Sequence, residues 1–147
     1  MKRRAGLTLI EILVVLGVLA IFLTLGISSY ISYRQNLLTR DAANQLAGHL
    51  LDARNKARRT STSYELRFTK GENSYLVGPV GDLKAYTLPG NSTLNSTRTE
   101  DTISIVYTAP YSTTPDGNTS IEVKGPGGKR LLVNVVGYMG KVVVRAP

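Results

Sequence analysis

Few side chains in this sequence could do chemistry, and their types exclude most catalytic and metal-binding sites. The chain of 147 residues has no cysteine, which excludes disulfides, thiolate nucleophiles and cysteine-ligated metals. It has one histidine, His49, and no Ser-His-Asp arrangement is readable around it. The glycine-rich stretch 125–130 (GPGGKR) lacks the spacing and the Ser or Thr of a phosphate-binding loop, so we predict a hairpin turn there. We therefore predict that the chain is not an enzyme and holds no cofactor or metal.

One acidic residue stands out, because Glu11 is the only charged residue between Leu7 and Ile27. This apolar run is long enough to cross a bilayer core as a helix. A carboxylate at the centre of a membrane helix costs on the order of 2.5–3.5 kcal/mol, and less towards the edge of the membrane. Because acids inside membrane segments usually have a partner, we expect a cation near Glu11.

Three interpretations of this run compete. A removed secretory signal has an apolar core of about 7–15 residues and a small-x-small cleavage site, and neither fits here. A plain membrane anchor fits the length but leaves Glu11 without a partner. In the third interpretation, a protease cuts after Gly6, and the new amine of Leu7 supplies a cation in the same apolar layer.

The residues around this position resemble a known family. A short basic leader at 2–4 (KRR), then Gly6, an apolar residue and the stretch 8–11 (TLIE) before an apolar run resemble the N-terminal signal of type IV pilins and type II secretion pseudopilins. Leu7 stands where that family usually has Phe. The resemblance implies that a prepilin peptidase cuts between Gly6 and Leu7 and methylates Leu7. It also implies that Glu11 pairs with the Leu7 amine of a neighbouring subunit during filament assembly.

A second helical segment follows the apolar run. Between residues 34 and 59 apolar side chains recur every three or four positions, which predicts a helix with one apolar face. The main members of this stripe are Leu38, Ala42, Leu46, Leu50, Ala53 and Ala57, with Leu37, Ala43 and Ala47 beside them. Since no proline lies between Leu7 and Arg59, we expect one nearly continuous helix of about 53 residues. His49 is predicted to be a partly buried structural residue, and the basic run 53–59 (ARNKARR) a solvated helix end.

Alternating apolar residues and turn signals after residue 60 predict a β-rich head. We expect strands at 63–70, 74–80, 84–90, 103–109, 119–125, 129–137 and 138–146, a polar loop at 91–102 and a turn-rich segment at 110–118. One long helix before about seven short strands predicts an α+β fold, in which the helix lies on an antiparallel β-sheet or β-sandwich.

The second half of the helix and the end of the chain resemble a narrower group. The small and apolar residues at 43–57 and the closing stretch 135–147, with Gly140-Lys141 where Gly-Arg is common, resemble the GspH/FimT-type minor pseudopilins. This resemblance implies a pilin-like β-sandwich head on the helix. It further implies a minor pilin or pseudopilin that starts or tips a filament for pilus assembly or protein secretion.

A DNA-binding function stays open as the alternative, because some FimT-like proteins bind DNA during natural transformation through basic residues near the last strand. The candidates here are Lys124, Lys129, Arg130, Lys141 and Arg145, which could contact phosphates. The Gly-Arg-x-Arg arrangement of that group is absent. Lys141 replaces its first arginine and Val143 its second, which removes the guanidinium fork at one position and the charge at the other. Without the three leader cations Lys2, Arg3 and Arg4, the net charge of +8 becomes 8 − 3 = +5, which permits contact with anionic lipid or nucleic acid without requiring either.

These inferences predict four segments: a leader at 1–6, a transmembrane and filament-core helix at 7–29, an amphipathic helix half at 30–60 and the head at 61–147. The basic leader predicts a cytoplasmic N-terminus, one pass through the inner membrane and a periplasmic head, with Tyr30 and Tyr33 as interfacial anchors. The expected partners are other pilin or pseudopilin subunits, the prepilin peptidase, the inner-membrane assembly platform and membrane lipid. DNA joins them only for the alternative function.

Overall fold

The computed structural model describes residues 8–115 and 117–147, and for residues 25 and 26 the backbone alone. The chain divides into two compact units, Met1–Arg34 and Gln35–Pro147. In its described part, the first unit consists of the N-terminal half of one helix. The second unit holds the rest of that helix and eight strands among the described residues.

The helix α1 spans Leu9–Thr60 and is 52 residues long, close to the predicted continuous helix. It forms without interruption because this stretch has no proline and is rich in leucine, alanine and arginine, which favour helix. Glu11 lies in the first turn, and Arg58 and Arg59 lie in the last. These charges complement the partial positive charge at the start of the helix and the partial negative charge at its end.

The second half of α1 buries most of the predicted apolar stripe, although Leu38 is only partly buried. Its buried apolar residues are Ala42, Ala43, Leu46, Ala47, Leu50, Ala53 and Ala57. Thr39 is also fully buried, whereas Leu37, predicted to widen the stripe, is 39% exposed. Thr39 can be buried because its Oγ1 donates to the carbonyl oxygen of Gln35 (2.9 Å). A count of apolar residues misses a threonine whose polar atom is satisfied inside the helix.

Eight strands form two antiparallel four-stranded sheets. Sheet A has the order β3-β2-β1-β5, with β1 at Tyr64–Thr69, β2 at Ser74–Pro79, β3 at Lys84–Thr87 and β5 at Thr102–Tyr107. Sheet B has the order β4-β6-β7-β8, with β4 at Thr93–Ser96, β6 at Thr119–Lys124, β7 at Arg130–Val136 and β8 at Lys141–Arg145. The expected α+β fold, a helix packed on antiparallel sheets, is confirmed.

The predicted polar loop at 91–102 is wrong in part, because it contains strand β4. Its Leu94 is fully buried and lies opposite Val123 of β6. A short 3₁₀ helix at Pro89–Asn91 precedes the strand. The pattern hid this strand because β4 lies at the edge of its sheet and buries one apolar side chain, so its sequence is as polar as a loop.

The last predicted strand, 138–146, is shorter in the structure. Residues 137–140 form the turn between β7 and β8, in which the Gly140 amide donates to the carbonyl oxygen of Gly137 (2.9 Å). Both glycines have positive φ, which alanine and larger residues rarely adopt. The strand therefore begins at Lys141.

The buried side chains form one hydrophobic cluster that joins the second half of α1 to both sheets. Sheet A contributes Leu66, Phe68, Tyr75, Ile103, Ile105 and Tyr107, and sheet B contributes Leu94, Ile121, Val123, Leu131, Val133 and Val135. Burying each such aliphatic or aromatic side chain contributes about 1.5–3 kcal/mol to folding. The alanines of α1 let the sheets approach the helix closely, so this stripe positions the head.

Two glycine-containing turns pack directly against the start of the second unit's helix. The β6–β7 turn at residues 125–128 places Gly125 against Thr39 and Gly127 against Gln35. The 3₁₀ turn places Gly90 against Leu38. A side-chain carbon at Gly125 would clash with Thr39 and one at Gly90 would clash with Leu38, so close approach requires glycine at both positions. At Gly127 the nearest atom is the end of the flexible Gln35 side chain. The stretch GPGGKR is therefore a hairpin turn, as predicted.

Candidate functional site

The first candidate site is the beginning of α1, where Thr8 and Glu11 bind each other. The Glu11 carboxylate accepts hydrogen bonds from the backbone amide of Thr8 (2.8 Å) and from its Oγ1 (3.0 Å). The amide of Glu11 makes a longer contact to the Thr8 hydroxyl (3.4 Å). This reciprocal arrangement is a capping box, which satisfies amides that the first helical turn leaves unpaired. A threonine three residues before a glutamate is the usual sequence signal of this arrangement, which the apolar run alone does not show.

Gly6 and Leu7, the predicted processing residues, lie outside the described residues. The pairing of Glu11 with a Leu7 amine therefore stays a prediction. Glu11 is exposed in the single chain, so its carboxylate is open to a partner. The capping bonds supply that carboxylate with local donors while no neighbouring subunit is present.

The first half of α1, before and after Glu11, exposes large apolar side chains on all sides. Leu9, Ile10 and Phe22 are 77%, 68% and 67% exposed, and every described large apolar residue from Leu9 to Ile31 is at least 46% exposed. The helix is long and apolar enough to cross a membrane, judged by its length and composition. A helix that is apolar all round needs lipid or other helices around it.

The second candidate site is the outer face of sheet B, where most of the candidate DNA-binding cations meet. Because side chains alternate along a strand, Arg130, Leu132, Asn134 and Val136 share this face of β7. Cross-strand pairing adds Lys124 opposite Arg130, Arg145 opposite Leu132, and Lys141 opposite Val136. Lys129 lies in the turn beside them and is partly buried. The sheet thus brings four of the five cations onto one surface.

Arg145 is held by a buried side chain of this face. With the Asn134 amide orientation assigned from its partners, its oxygen accepts from Nη2 (2.8 Å) and Nε (2.5 Å) of Arg145. The amide nitrogen donates to Ser120 Oγ (2.8 Å). Asn134 is only 3% exposed, so Arg145 satisfies a buried polar group. The guanidinium of Arg145 therefore stabilises the structure by binding the Asn134 side chain.

Arg130 also has a partner, whereas two of the lysines are exposed. Its Nη1 lies 3.6 Å from Oε1 of Glu122, which neutralises part of its charge. The Arg130 side chain is 60% exposed, so this pair is screened by solvent and weak. Lys124 and Lys141 are exposed at opposite ends of the face. The free positive charge of the face is therefore spread rather than focused.

His49 belongs to an aromatic cluster that joins α1 to β2 and β3. Gln45 Nε2 donates to the Tyr75 hydroxyl (3.0 Å), and the same hydroxyl shares a hydrogen bond of 2.8 Å with His49 Nδ1, whose direction depends on the histidine tautomer. The ring of Tyr86 packs edge-on against His49 at 4.4 Å between centroids. Partial burial lowers the pKa of His49, while the nearby Asp52 carboxylate acts to raise it. The prediction of a partly buried structural histidine is confirmed.

A cleft of about 260 Å³ lies beside this cluster, between α1 and the β2–β3 hairpin. Charges of both signs line it: Asp52, Lys56, Asp82 and Lys84. Lys56 and Asp52 pair with each other at 2.8 Å, one helical turn apart. Among the described residues, no three histidine, aspartate or glutamate side chains converge as metal ligands.

The basic run at the end of α1 behaves as a solvated helix end. Arg58 and Arg59 are exposed in the last turn, where their charge favours the helix C-terminus. Arg54 is partly buried, and its backbone carbonyl accepts from Ser112 Oγ (2.5 Å). The run thus combines a surface charge with a contact that fixes the loop after β5.

Two comparisons with known proteins found a similarity, one to a sequence motif and one to a solved structure. Residues 1–27 match the family described as the prokaryotic N-terminal methylation motif. No curated protein sequence matches the chain. The solved structure of the type IV minor pilin FimU from Pseudomonas aeruginosa is similar, with a TM-score of 0.53 and 15% sequence identity. The similarity covers 74% of this chain and 96% of FimU.

These two findings are of different kinds. The motif describes the start of the chain, including the stretch around Glu11. The structural likeness, at this low identity, describes the fold. The chain therefore begins with a prokaryotic N-terminal methylation motif and has a fold similar to that of a type IV minor pilin.

Proposed function

We propose that this protein is a minor pilin or pseudopilin that is cleaved after Gly6 and assembled into a type IV pilus or a type II secretion pseudopilus. It acts in filament initiation or at the filament tip, as a structural and non-enzymatic subunit. The observation that carries the proposal is the exposed apolar helix behind a methylation motif. Such a surface needs lipid before assembly and neighbouring helices after it.

The proposed assembly step moves Glu11 from one set of donors to another. In the single chain its carboxylate caps the helix through Thr8. In the filament, the methylated amine of Leu7 in a neighbouring subunit takes that place and neutralises the carboxylate. An ion pair in a low-dielectric helix bundle is much stronger than one in water, so the pair selects a fixed axial position.

The proposed path sets the partners and the location. Before cleavage, the leader 1–6 stays on the cytoplasmic side, the segment 7–29 crosses the inner membrane, and the head 61–147 lies in the periplasm behind the helix half 30–60. The prepilin peptidase and the inner-membrane assembly platform act on the chain there. Other pilin or pseudopilin subunits replace membrane lipid around the apolar helix as the filament grows.

Filament initiation and tip location can be tested in cells that lack the gene for this chain. We expect fewer filaments of ordinary length, with complementation by the wild-type gene. An antibody to the head should label filaments at one end. Uniform labelling along filaments would contradict a tip subunit and favour a major one. Loss of secretion with intact pili would place the subunit in a pseudopilus.

DNA binding during natural transformation is the second candidate function. The shared face of Lys124, Arg130, Lys141 and Arg145 favours it, since phosphate contacts need only such cations. The pairing of Arg130 with Glu122 and the bonds of Arg145 to Asn134 count against it.

A gel shift with the full-length protein in detergent tests the DNA function. The test variant is Lys124→Ala/Lys129→Ala/Arg130→Ala/Lys141→Ala. A second variant carries Arg145→Ala separately, because that change also disturbs Asn134. A shift at low salt that the fourfold variant loses would support DNA binding. No shift of the wild-type protein at low salt would rule it out.

A further inference from the structure

We propose that the β6–β7 turn, with Lys124, Lys129 and Arg130 around it, contacts anionic phospholipid headgroups while the subunit waits in the membrane before assembly. We call this set of residues, 124–130, the basic turn. The inference rests on the proposed function, because it requires a membrane-anchored N-terminal helix. It gives three of the candidate DNA-binding cations a different ligand.

The basic turn packs against the start of the second unit's helix. Gly127 lies so close to Gln35 that an added side-chain carbon would be 2.7 Å from its Oε1, and Gly125 packs on Thr39. Gln35 is the first residue of the second unit, which contains the head. The turn therefore lies at the end of the head at which the chain arrives from the apolar helix.

Only a short stretch of chain separates Gln35 from the expected membrane interface. Tyr33 is exposed and is the second of the two predicted interfacial anchors. Gln35 follows two residues later, so the backbone between them spans at most about 7 Å even when extended. The range of an electrostatic attraction at physiological salt is about 8 Å, so cations beside Gln35 are close enough to respond to lipid charge.

The charge and the shape of the basic turn also favour contact with an anionic surface. Lys124 and Arg130 face each other across β6 and β7, and both are exposed. Glu122 offsets part of this charge through Arg130. The residues between them, 126–128 (PGG), are exposed and carry no long side chains. Nothing bulky at the tip of the turn keeps the cations from a flat anionic surface, to which each lysine or arginine adds attraction.

The chain has no cysteine, so a single introduced cysteine gives a clean probe position. Full-length Pro126→Cys protein carries a fluorophore in nanodiscs with headgroup-quenching lipids. The nanodiscs contain phosphatidylcholine alone or equal parts of phosphatidylcholine and phosphatidylglycerol. Tyr138→Cys places the same probe at the opposite end of sheet B, about 20 Å along β7.

We expect quenching at position 126 to be about threefold stronger in the anionic nanodiscs, and to fall at high salt. The variant Lys124→Gln/Lys129→Gln/Arg130→Gln should return it to the phosphatidylcholine value. The matched variant Arg58→Gln/Arg59→Gln/Lys84→Gln removes three exposed cations elsewhere and should leave the quenching unchanged. The probe at position 138 should be quenched weakly in both lipids.

Equal quenching at position 126 in both lipids would overturn the proposal, as would an equal effect of the two triple variants. If quenching ignores lipid charge but the basic-turn variant loses a DNA gel shift, the turn is a DNA contact instead. Co-elution of the protein with the nanodiscs tests anchoring separately. Failure to co-elute would count against the proposed function, whereas co-elution without charge-dependent quenching would refute only the basic-turn proposal.

Discussion

The two halves of α1 share one backbone conformation but have opposite surroundings. In the first half, Leu13 and Leu16 are 59% and 57% exposed. In the second half, Leu46 and Leu50 are fully buried against the sheets. The same residue type in the same helix thus has two environments. The exposed half needs lipid or other helices around it. The buried half packs on the two sheets of its own chain.

The two halves of α1 differ in the size and distribution of their apolar side chains. The first half has large apolar residues on every side, which suits lipid tails or a helical array. The second half narrows the apolar surface to one stripe, and most of its buried residues are alanines. Alanine allows close approach of the sheets, and arginines, aspartates and Lys56 on the other side face water. One helix can therefore anchor a subunit and support its head.

The largest expected effect comes from Glu11 in the exposed half. Glu11→Val removes the carboxylate that would pair with the neighbouring amine, so we expect incorporation into filaments to fall at least about tenfold. Incorporation is measured by immunoblot of sheared filaments against the membrane fraction.

A matched variant separates assembly from helix capping. Thr8→Ala removes the two bonds of the Thr8 hydroxyl, the one it donates to the Glu11 carboxylate (3.0 Å) and the one it accepts from the Glu11 amide (3.4 Å), but leaves the carboxylate and the Thr8 backbone amide in place. We expect its incorporation to stay within about twofold of the wild type, since an N-cap loss costs only about 1 kcal/mol and neighbouring helices compensate for it. Equal defects in both variants would mean that Glu11 acts through the cap alone.

The next effect tests the buried half. Leu50→Ala should lower the free energy of unfolding of the full-length protein in detergent by about 2–5 kcal/mol, because it leaves a cavity under the sheets. Leu13→Ala in the exposed half should leave unfolding of the head unchanged. Urea titrations followed by near-ultraviolet circular dichroism of the tyrosines measure both. A comparable loss in both variants would erase the contrast between the two halves.

Two glycines of the second unit should respond in opposite directions. Gly125→Ala drives a side-chain carbon into Thr39 and should cost about 1–3 kcal/mol. Gly48 is exposed on the helix with nothing within 4 Å of an added carbon, so Gly48→Ala should stabilise the protein by up to about 1 kcal/mol. The same urea titration compares them. Stabilisation by both changes would show that the β6–β7 turn does not pack tightly on α1.

The smallest expected effect is a pH dependence from His49. Partial burial lowers the pKa of His49 below its ordinary value of 6.5, with Lys56 acting in the same direction and Asp52 against it. The folded protein therefore favours neutral His49. Its contribution to stability is complete above pH 6.5 and is lost as the pH falls through the lowered pKa. His49→Gln should flatten this part of the stability profile, and an unchanged slope would assign it to other groups.

Local patterns made most of the fold predictable. The stripe from Ala42 to Ala57 and the alternation in β1 depend on neighbours a few residues apart, so a sequence shows them directly. Strand β4 escaped because its evidence is one buried leucine, and the rest of its stability comes from pairing with β6. The capping box of Thr8 and Glu11 was readable and was missed.

The candidate sites were less predictable, because they depend on strand register. The basic residues could be chosen from the sequence, but only the pairing of β6, β7 and β8 shows which of them share a face. The bonds between Asn134 and Arg145 join residues of two strands and have no sequence signal. The position of the basic turn beside Gln35 depends on close packing of glycines, which no periodicity shows.

In the proposed function, cleavage after Gly6 creates the Leu7 amine that pairs with the Glu11 carboxylate of a neighbouring subunit. Intact mass spectrometry of the protein from its native membranes tests this most directly. The account predicts a chain that begins at Leu7 and carries one added methyl group, and a chain that keeps its leader in cells without the prepilin peptidase. A mature chain that still begins at Met1 in cells with the peptidase would contradict it.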